Sequence, residues 1–176
     1  MSRVTTDVVI VGGGVMGLSS AWRLALKGIK ATIVEIGRCG EGSSRAALGA
    51  LWPSPAVNAG PLQILHRKSL WGFQDFIKEL YEASGLPVDY LRRGKLEILL
   101  SPKTAQEART QTIHAVQNWP ALDGEPVMEI LSSDQIRAYE PHVAAGSMEA
   151  QLCRWSAQVN VDQLLAGLIA PAAAPE

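Results

Sequence analysis

Short apolar runs and longer stretches of helical periodicity take turns along the first forty residues. Asp7–Val11 is β-branched and ends in glycine, which predicts a buried strand of a parallel sheet. Val15–Lys27 carries Leu18, Ala21, Trp22, Leu24 and Ala25 at helical spacing, and Gly28 closes it. Ala31–Glu35 reads as a second buried strand, so the segment is one βαβ unit with parallel strands and a right-handed crossover. Gly37–Pro61 is rich in Gly, Ser and Pro and shows no period, as expected of a functional loop. Helical spacing returns over Leu62–Ser84, with Leu65, Phe73, Phe76, Ile77 and Leu80 as its stripe, and Gly85 and Pro87 stop it. Farther on, strands are predicted at Lys95–Leu100, Val127–Ile130 and Ser147–Arg154. Helices are predicted at Pro102–Asn118, within "SSDQIRAYEP", and at Asp162–Ile169 with Asp162 as its cap. The tail "APAAAPE" is low in complexity and is expected to fray.

Composition narrows the function classes. The chain has 176 residues, 47% hydrophobic and 19% charged, with a net charge of −1 and no basic stripe, which excludes nucleic acid as the main partner. No apolar run has the length of a membrane span, and "MSRVTTD" lacks the pattern of a secretion signal. Cys39 and Cys153 stand far apart, as reduced thiols of a cytoplasmic protein do. His66, His114 and His142 are scattered, so no metal site is expected.

The candidate chemistry lies in "VVIVGGGVMGL". Gly12, Gly14 and Gly17 fit G-x-G-x-x-G between a strand and a helix, with Gly13, Val15 and Met16 between them. The first glycine permits the tight turn, the second lets a pyrophosphate approach the backbone, and the third lets helix and strand pack closely. Free N–H groups at the helix start then face the phosphates. Glu35 ends the second strand about twenty residues on, where a carboxylate accepts both hydroxyls of an adenosine ribose and disfavours a 2′-phosphate, hence NADP. A glycine-rich turn serving only a tight βα corner would not account for Glu35. The unit alone does not separate NAD from FAD. The segment "GRCGEGSSRAALGALWPSP" bears on that choice. Ser43 and Ser44 can hold a pyrophosphate oxygen, Arg45 can add charge, and Gly49 and Ala50 leave room for a large flat ring. A solvated Ser/Gly loop is the plainer alternative.

These stretches, with "SLWGFQDFIKELYEASGLPVDYLRRGKLEI", "SSDQIRAYEP" and "VNVDQLLAGL" in that order, resemble the N-terminal half of the D-amino-acid oxidase family of flavoproteins. Within it, the glycine oxidase branch associated with thiamine biosynthesis is the most similar. The resemblance implies FAD as cofactor. It places Val15 and Met16 at the phosphate turn, Glu35 at the ribose, Ser43 and Ser44 at the pyrophosphate, and Leu48, Gly49 and Ala50 along the flavin. It also implies a Rossmann-like α/β fold with part of an attached α+β substrate domain, truncated relative to the family. The expected layout is residues 1–86 for the first part of the FAD-binding domain and 87–146 for the substrate portion. Residues 147–176 begin the return to the FAD-binding domain.

The sequence departs from the family where its members continue. The next parallel strand, the Arg and Tyr partners of the substrate carboxylate and a second glycine-rich segment have no counterpart here, and Gln163 stands where many relatives have proline. The expected function is therefore the N-terminal portion of an FAD-dependent oxidoreductase that oxidises a small amino acid or secondary amine to an imine. A second chain would supply the missing half. The alternative is an inactive truncated remnant that binds FAD weakly or not at all. A NAD-binding dehydrogenase subunit is disfavoured by "GEGSSRAALG". No catalytic residue is nominated. Arg92, Arg93 and Lys95 read as a solvated strand end more than as a site for an anionic substrate. Trp52 sits in the loop nearest the expected flavin.

Overall fold

The computed structural model describes residues 5–144 and 149–172. Its strands are β1 (Val8–Val11), β2 (Ala31–Val34), β3 (Ala50–Leu51), β4 (Tyr90–Leu91), β5 (Lys95–Ile98), β6 (Met128–Ser132), β7 (Glu149–Cys153) and β8 (Ala157–Val159). Its helices are α1 (Val15–Ala25), α2 (Pro61–Trp71), α3 (Phe73–Ser84), α4 (Pro102–Asn118), α5 (Ser133–Tyr139) and α6 (Val161–Ala172). They form two compact units. One takes the chain up to Gly49, Asp75–Tyr90 and the segment from Val159; the other takes Ala50–Gln74 and Leu91–Gln158. The chain thus passes from the first unit to the second and back twice. The last return falls at Val159, and Gly146, where the sequence placed it, lies outside the described residues.

The first unit is the βαβ element and the helices packed on it. β1 and β2 are parallel, with Val8 opposite Ala31 and Val11 opposite Val34. Alternate residues of β1 point to opposite faces of the sheet. Ile10 faces α1, while Val9 and Val11 are 58% and 87% exposed. Leu18, Ala21 and Trp22 form the buried stripe of α1. The Trp22 ring meets Phe76 of α3 edge-on, with centroids 5.3 Å apart, and Arg23 pairs with Glu79. Gly167 lets α6 lie close to α3, since a methyl there would meet Leu80 at 3.2 Å.

In the second unit, β5, β7 and β6 form an antiparallel sheet in that order, with Leu96 opposite Leu152 and Glu129 opposite Leu152 on the other side. One face packs Ala150, Leu152 and Leu131 against Ile136 of α5. The other meets α4, where Ile130 packs with Leu99, Ala105 and Ala108. Gln151 points to that second face, and its amide donates to the Ala108 carbonyl at 2.9 Å and to Thr112 Oγ1 at 3.1 Å, which satisfies a buried polar group. β3 pairs antiparallel with β8, Ala50 opposite Gln158. Trp71 lies between Trp119 and Trp155, with centroids 6.4 Å from each.

Several elements differ from the sequence reading. The helix expected over Leu62–Ser84 is two helices, because Gly72 ends α2 and α3 starts anew at Phe73. Asp162 does not cap α6. Asn160 does, its Oδ1 accepting from Gln163 N–H at 3.1 Å, and Asp162 sits in the first turn. α6 continues through Pro171 to Ala172, and the remainder of the tail lies outside the described residues, as does the expected start of β7 at Ser147. The helix at Pro102–Asn118 forms as expected, with Ser101 and Thr104 closing a reciprocal capping box.

Candidate dinucleotide site

The site is the turn from β1 into α1. Gly12 has φ of +103°, a conformation side chains resist, and its N–H donates to the Val34 carbonyl at 2.8 Å. At Gly17 a methyl would lie 2.0 Å from the Gly12 carbonyl oxygen, so only glycine lets α1 close on the turn. Gly13 is buried. A side chain there would strike the Cys39 thiol at 2.6 Å, because loop 37–49 folds over the turn and Gly40 N–H donates to the Gly13 carbonyl at 2.8 Å.

Side chains complete the turn. Glu35 reaches back from the end of β2, and its Oε2 accepts from Gly13 N–H at 2.6 Å while Oε1 accepts from Gly37 N–H at 3.1 Å. These backbone donors, Gly13 first, hold the carboxyl below the usual carboxylate range. A carboxylate has about four acceptor positions, so these two amides do not saturate it. The helix N-cap is Gly14, which offers no side-chain oxygen, and the first N–H is capped from afar: Val15 N–H donates to Ser44 Oγ at 2.9 Å. Ser44 also lies where a methyl on Gly14 would be, 2.9 Å away.

Of the residues read from the sequence, the structure brings Gly12, Gly13, Gly14, Val15, Gly17, Glu35 and Ser44 together at this turn. Met16, Ser43 and Leu48 are exposed. Arg45 turns away to Asp162, with Nε 3.1 Å from Oδ1, and lies 4.0 Å from Glu41. Gly49 faces the Val159 carbonyl, and Ala50 begins β3 of the second unit. Arg92 pairs with Asp123 and stacks over Trp155, and Lys95 pairs with Glu97 and lies over the Trp52 ring; both stay within the second unit. The sequence reading missed Cys39 and Gly40, although the glycines of "CGEG" were a visible sign of a tightly folded loop. Both cysteines are free, and burial pushes the Cys153 thiol up, which keeps it protonated and inert. Among the described residues no cluster could hold a metal ion, and no helix is long and apolar enough to cross a membrane.

A cavity of about 890 Å³ in the same unit, lined by Thr5, Thr6, Lys30, Ile33, Trp22 and Ile169 among others, adjoins the starts of the strands. Ligands of open parallel sheets bind outside the carboxyl ends of the strands, which is where the glycine turn lies and this cavity does not.

A parallel strand pair, a glycine turn without side chains, N–H groups at a helix start and an amide-held carboxylate are together the working parts of a dinucleotide-binding protein. Residues 7–175 match the family described as "DAO: FAD dependent oxidoreductase", and the chain belongs to that family. Its cofactor is FAD, and the chemistry of the turn suits a dinucleotide: a helix start with no side-chain cap from Gly14 and a carboxylate at the end of β2. Glycine oxidase of Geobacillus kaustophilus (strain HTA426) is 30% identical over 169 residues, which are 95% of this chain and 43% of that protein. Glycine oxidase of Bacillus licheniformis is 28% identical over 86% of the chain and 38% of the relative. The crystal structure of glycine oxidase from Geobacillus kaustophilus superposes with a TM-score of 0.82 at 28% identity, covering 96% of this chain and 44% of that one. The chain spans less than half the length of these relatives.

Proposed function

We propose that this chain is the N-terminal portion of an FAD-dependent oxidoreductase that oxidises a small amino acid or secondary amine to an imine, in the manner of a glycine oxidase. The observation that carries the reading is the glycine turn closed by Glu35 and Ser44. In this reading Gly12 and Gly17 fix the turn and Gly14 leaves room for the pyrophosphate, and the N–H groups of α1 together with Ser43 and Ser44 hold it. Glu35 offers its remaining acceptor capacity to the ribose hydroxyls. Leu48, Gly49 and Ala50 line the flavin. Bound FAD supplies the hydride acceptor for the carbon bearing the amine. The chain's own residues bind and orient the cofactor. Groups that choose the amine belong to the part of the relatives that this chain does not match.

The exposed apolar residues Val9, Val11, Val34 and Ile36 on and beside the β1–β2 sheet favour a second reading, an inactive remnant with weak FAD affinity. The visible spectrum of the purified chain, with denaturation to release and identify any flavin, separates the two. A yellow protein releasing one FAD per chain supports the first. A chain that stays colourless with added FAD overturns the idea that it forms the site alone.

A further inference from the structure

Loop 37–49 carries the groups that close the glycine turn, and its own shape is fixed from the end of β8 and the start of α6. Three contacts of different kinds join them within the first unit. A methyl on Gly40 would touch the Leu165 side chain at 3.4 Å, so the loop backbone lies directly on α6. Arg45 Nε is 3.1 Å from Asp162 Oδ1. A methyl on Gly49, at φ of +72°, would fall 2.0 Å from the Val159 carbonyl oxygen, while Val159 N–H donates to the Gly49 carbonyl at 2.9 Å. The absence of a side chain at Gly49 is thus demanded by the chain itself, whatever ring lies nearby.

The anchoring side is well secured. Asn160 caps α6, its N–H donates to the Asp89 carbonyl at 2.8 Å, and Gln163 Oε1 accepts from Asp89 N–H at 2.6 Å. Gln163 Nε2 donates in turn to the Asp89 carboxylate at 3.1 Å. An acidic residue in the first turn of a helix is also favoured by the helix dipole, so Asp162 is a stable post for a cation.

We propose that Val159–Leu165 is a clasp for loop 37–49, and that Arg45 is its strut, a positioning residue, and not a ligand of the pyrophosphate. Arg45 already faces two carboxylates, Asp162 and Glu41, and Arg38 shares Glu41 at 3.6 Å. The clasp concerns the dinucleotide reading through its consequence, the shape of the loop offered to FAD.

The test compares four full-length chains: wild type, Arg45→Asp, Asp162→Arg and the double reversal. Amide hydrogen exchange over residues 40–49 is measured without cofactor, and FAD affinity by flavin titration. Each single reversal should speed exchange and weaken FAD binding about two- to five-fold, the scale of an exposed ion pair, and the double reversal should restore both. Equal exchange in all four chains overturns the clasp. FAD binding lost in Arg45→Asp, kept in Asp162→Arg and unrestored in the double reversal makes Arg45 a phosphate ligand and overturns the strut. Exchange restored without FAD binding in the double reversal does the same. A wild-type chain that takes no FAD sinks the cofactor reading separately, and exchange alone then decides the clasp.

Discussion

The sheet of the second unit has helices on both faces: α5 on Leu131, Ala150 and Leu152, and α4 on Ile130 and Gln151. The β1–β2 sheet of the first unit has α1 on one face, and Val9 and Val11 stand exposed on the other. Parallel strands are ordinarily covered on both faces, and their β-branched sequences suit burial. The antiparallel sheet thus carries its own core within this chain. The parallel one is written for more cover than these residues give. The exposed valines mark a surface shaped for packing and not for water.

Three measurements bear on that contrast. The largest effect is expected from Leu131→Ala, which removes a side chain only 1% exposed in the sheet core. It should cost about 2–5 kcal/mol in denaturant unfolding, and a loss below 1 kcal/mol would mean the second sheet is not the closed core described. Acid should act on the first unit. The folded pKa of Glu35 is lowered, so the stability it contributes is present above its ordinary value and is lost as pH falls through the lowered one. Protection of the Gly13 and Gly37 amides, taken as exchange relative to the intrinsic rate at each pH, should fall over that range in wild type, and Glu35→Gln should remove that loss; protection that stays constant with pH in wild type would refute the amide-held carboxylate. The smallest effect is expected from Val11→Thr, within about 0.5 kcal/mol. A core-like loss there would show that this face is covered in solution.

Local signals made much of this readable in advance. The βαβ unit follows from β-branched runs, helical spacing and glycine punctuation, and α4 from Ser101 and Pro102 at its start. Spacing alone was enough to bring Gly12, Gly14, Gly17 and Glu35 to one turn. Other features depend on residues distant in sequence. β4 and β8 are two and three residues long, too short to show a period. Nothing near Ser44 reveals that it caps a helix 29 residues before it. Asp162 looked like a cap because acids favour helix starts; the chain put Asn160 there and gave Asp162 to Arg45. Gly72 broke a helix whose apolar stripe ran straight through it, because apolar spacing does not fix backbone continuity, and Leu65 of that stripe is in fact exposed.

The tryptophans have a practical consequence in the spectrometer. Of the five, Trp22 belongs to the first unit, while Trp52, Trp71, Trp119 and Trp155 belong to the second. At 6.4 Å, Trp71 is close enough to Trp119 and Trp155 for excitation to pass among them before emission. Intrinsic fluorescence therefore watches the unit that does not carry the glycine turn. A melting curve followed by emission reports mainly on the antiparallel sheet, and a Trp22→Phe chain would be nearly silent toward the dinucleotide unit. The bound flavin's own absorbance, or a dye placed near loop 37–49, is the light signal that follows the other half.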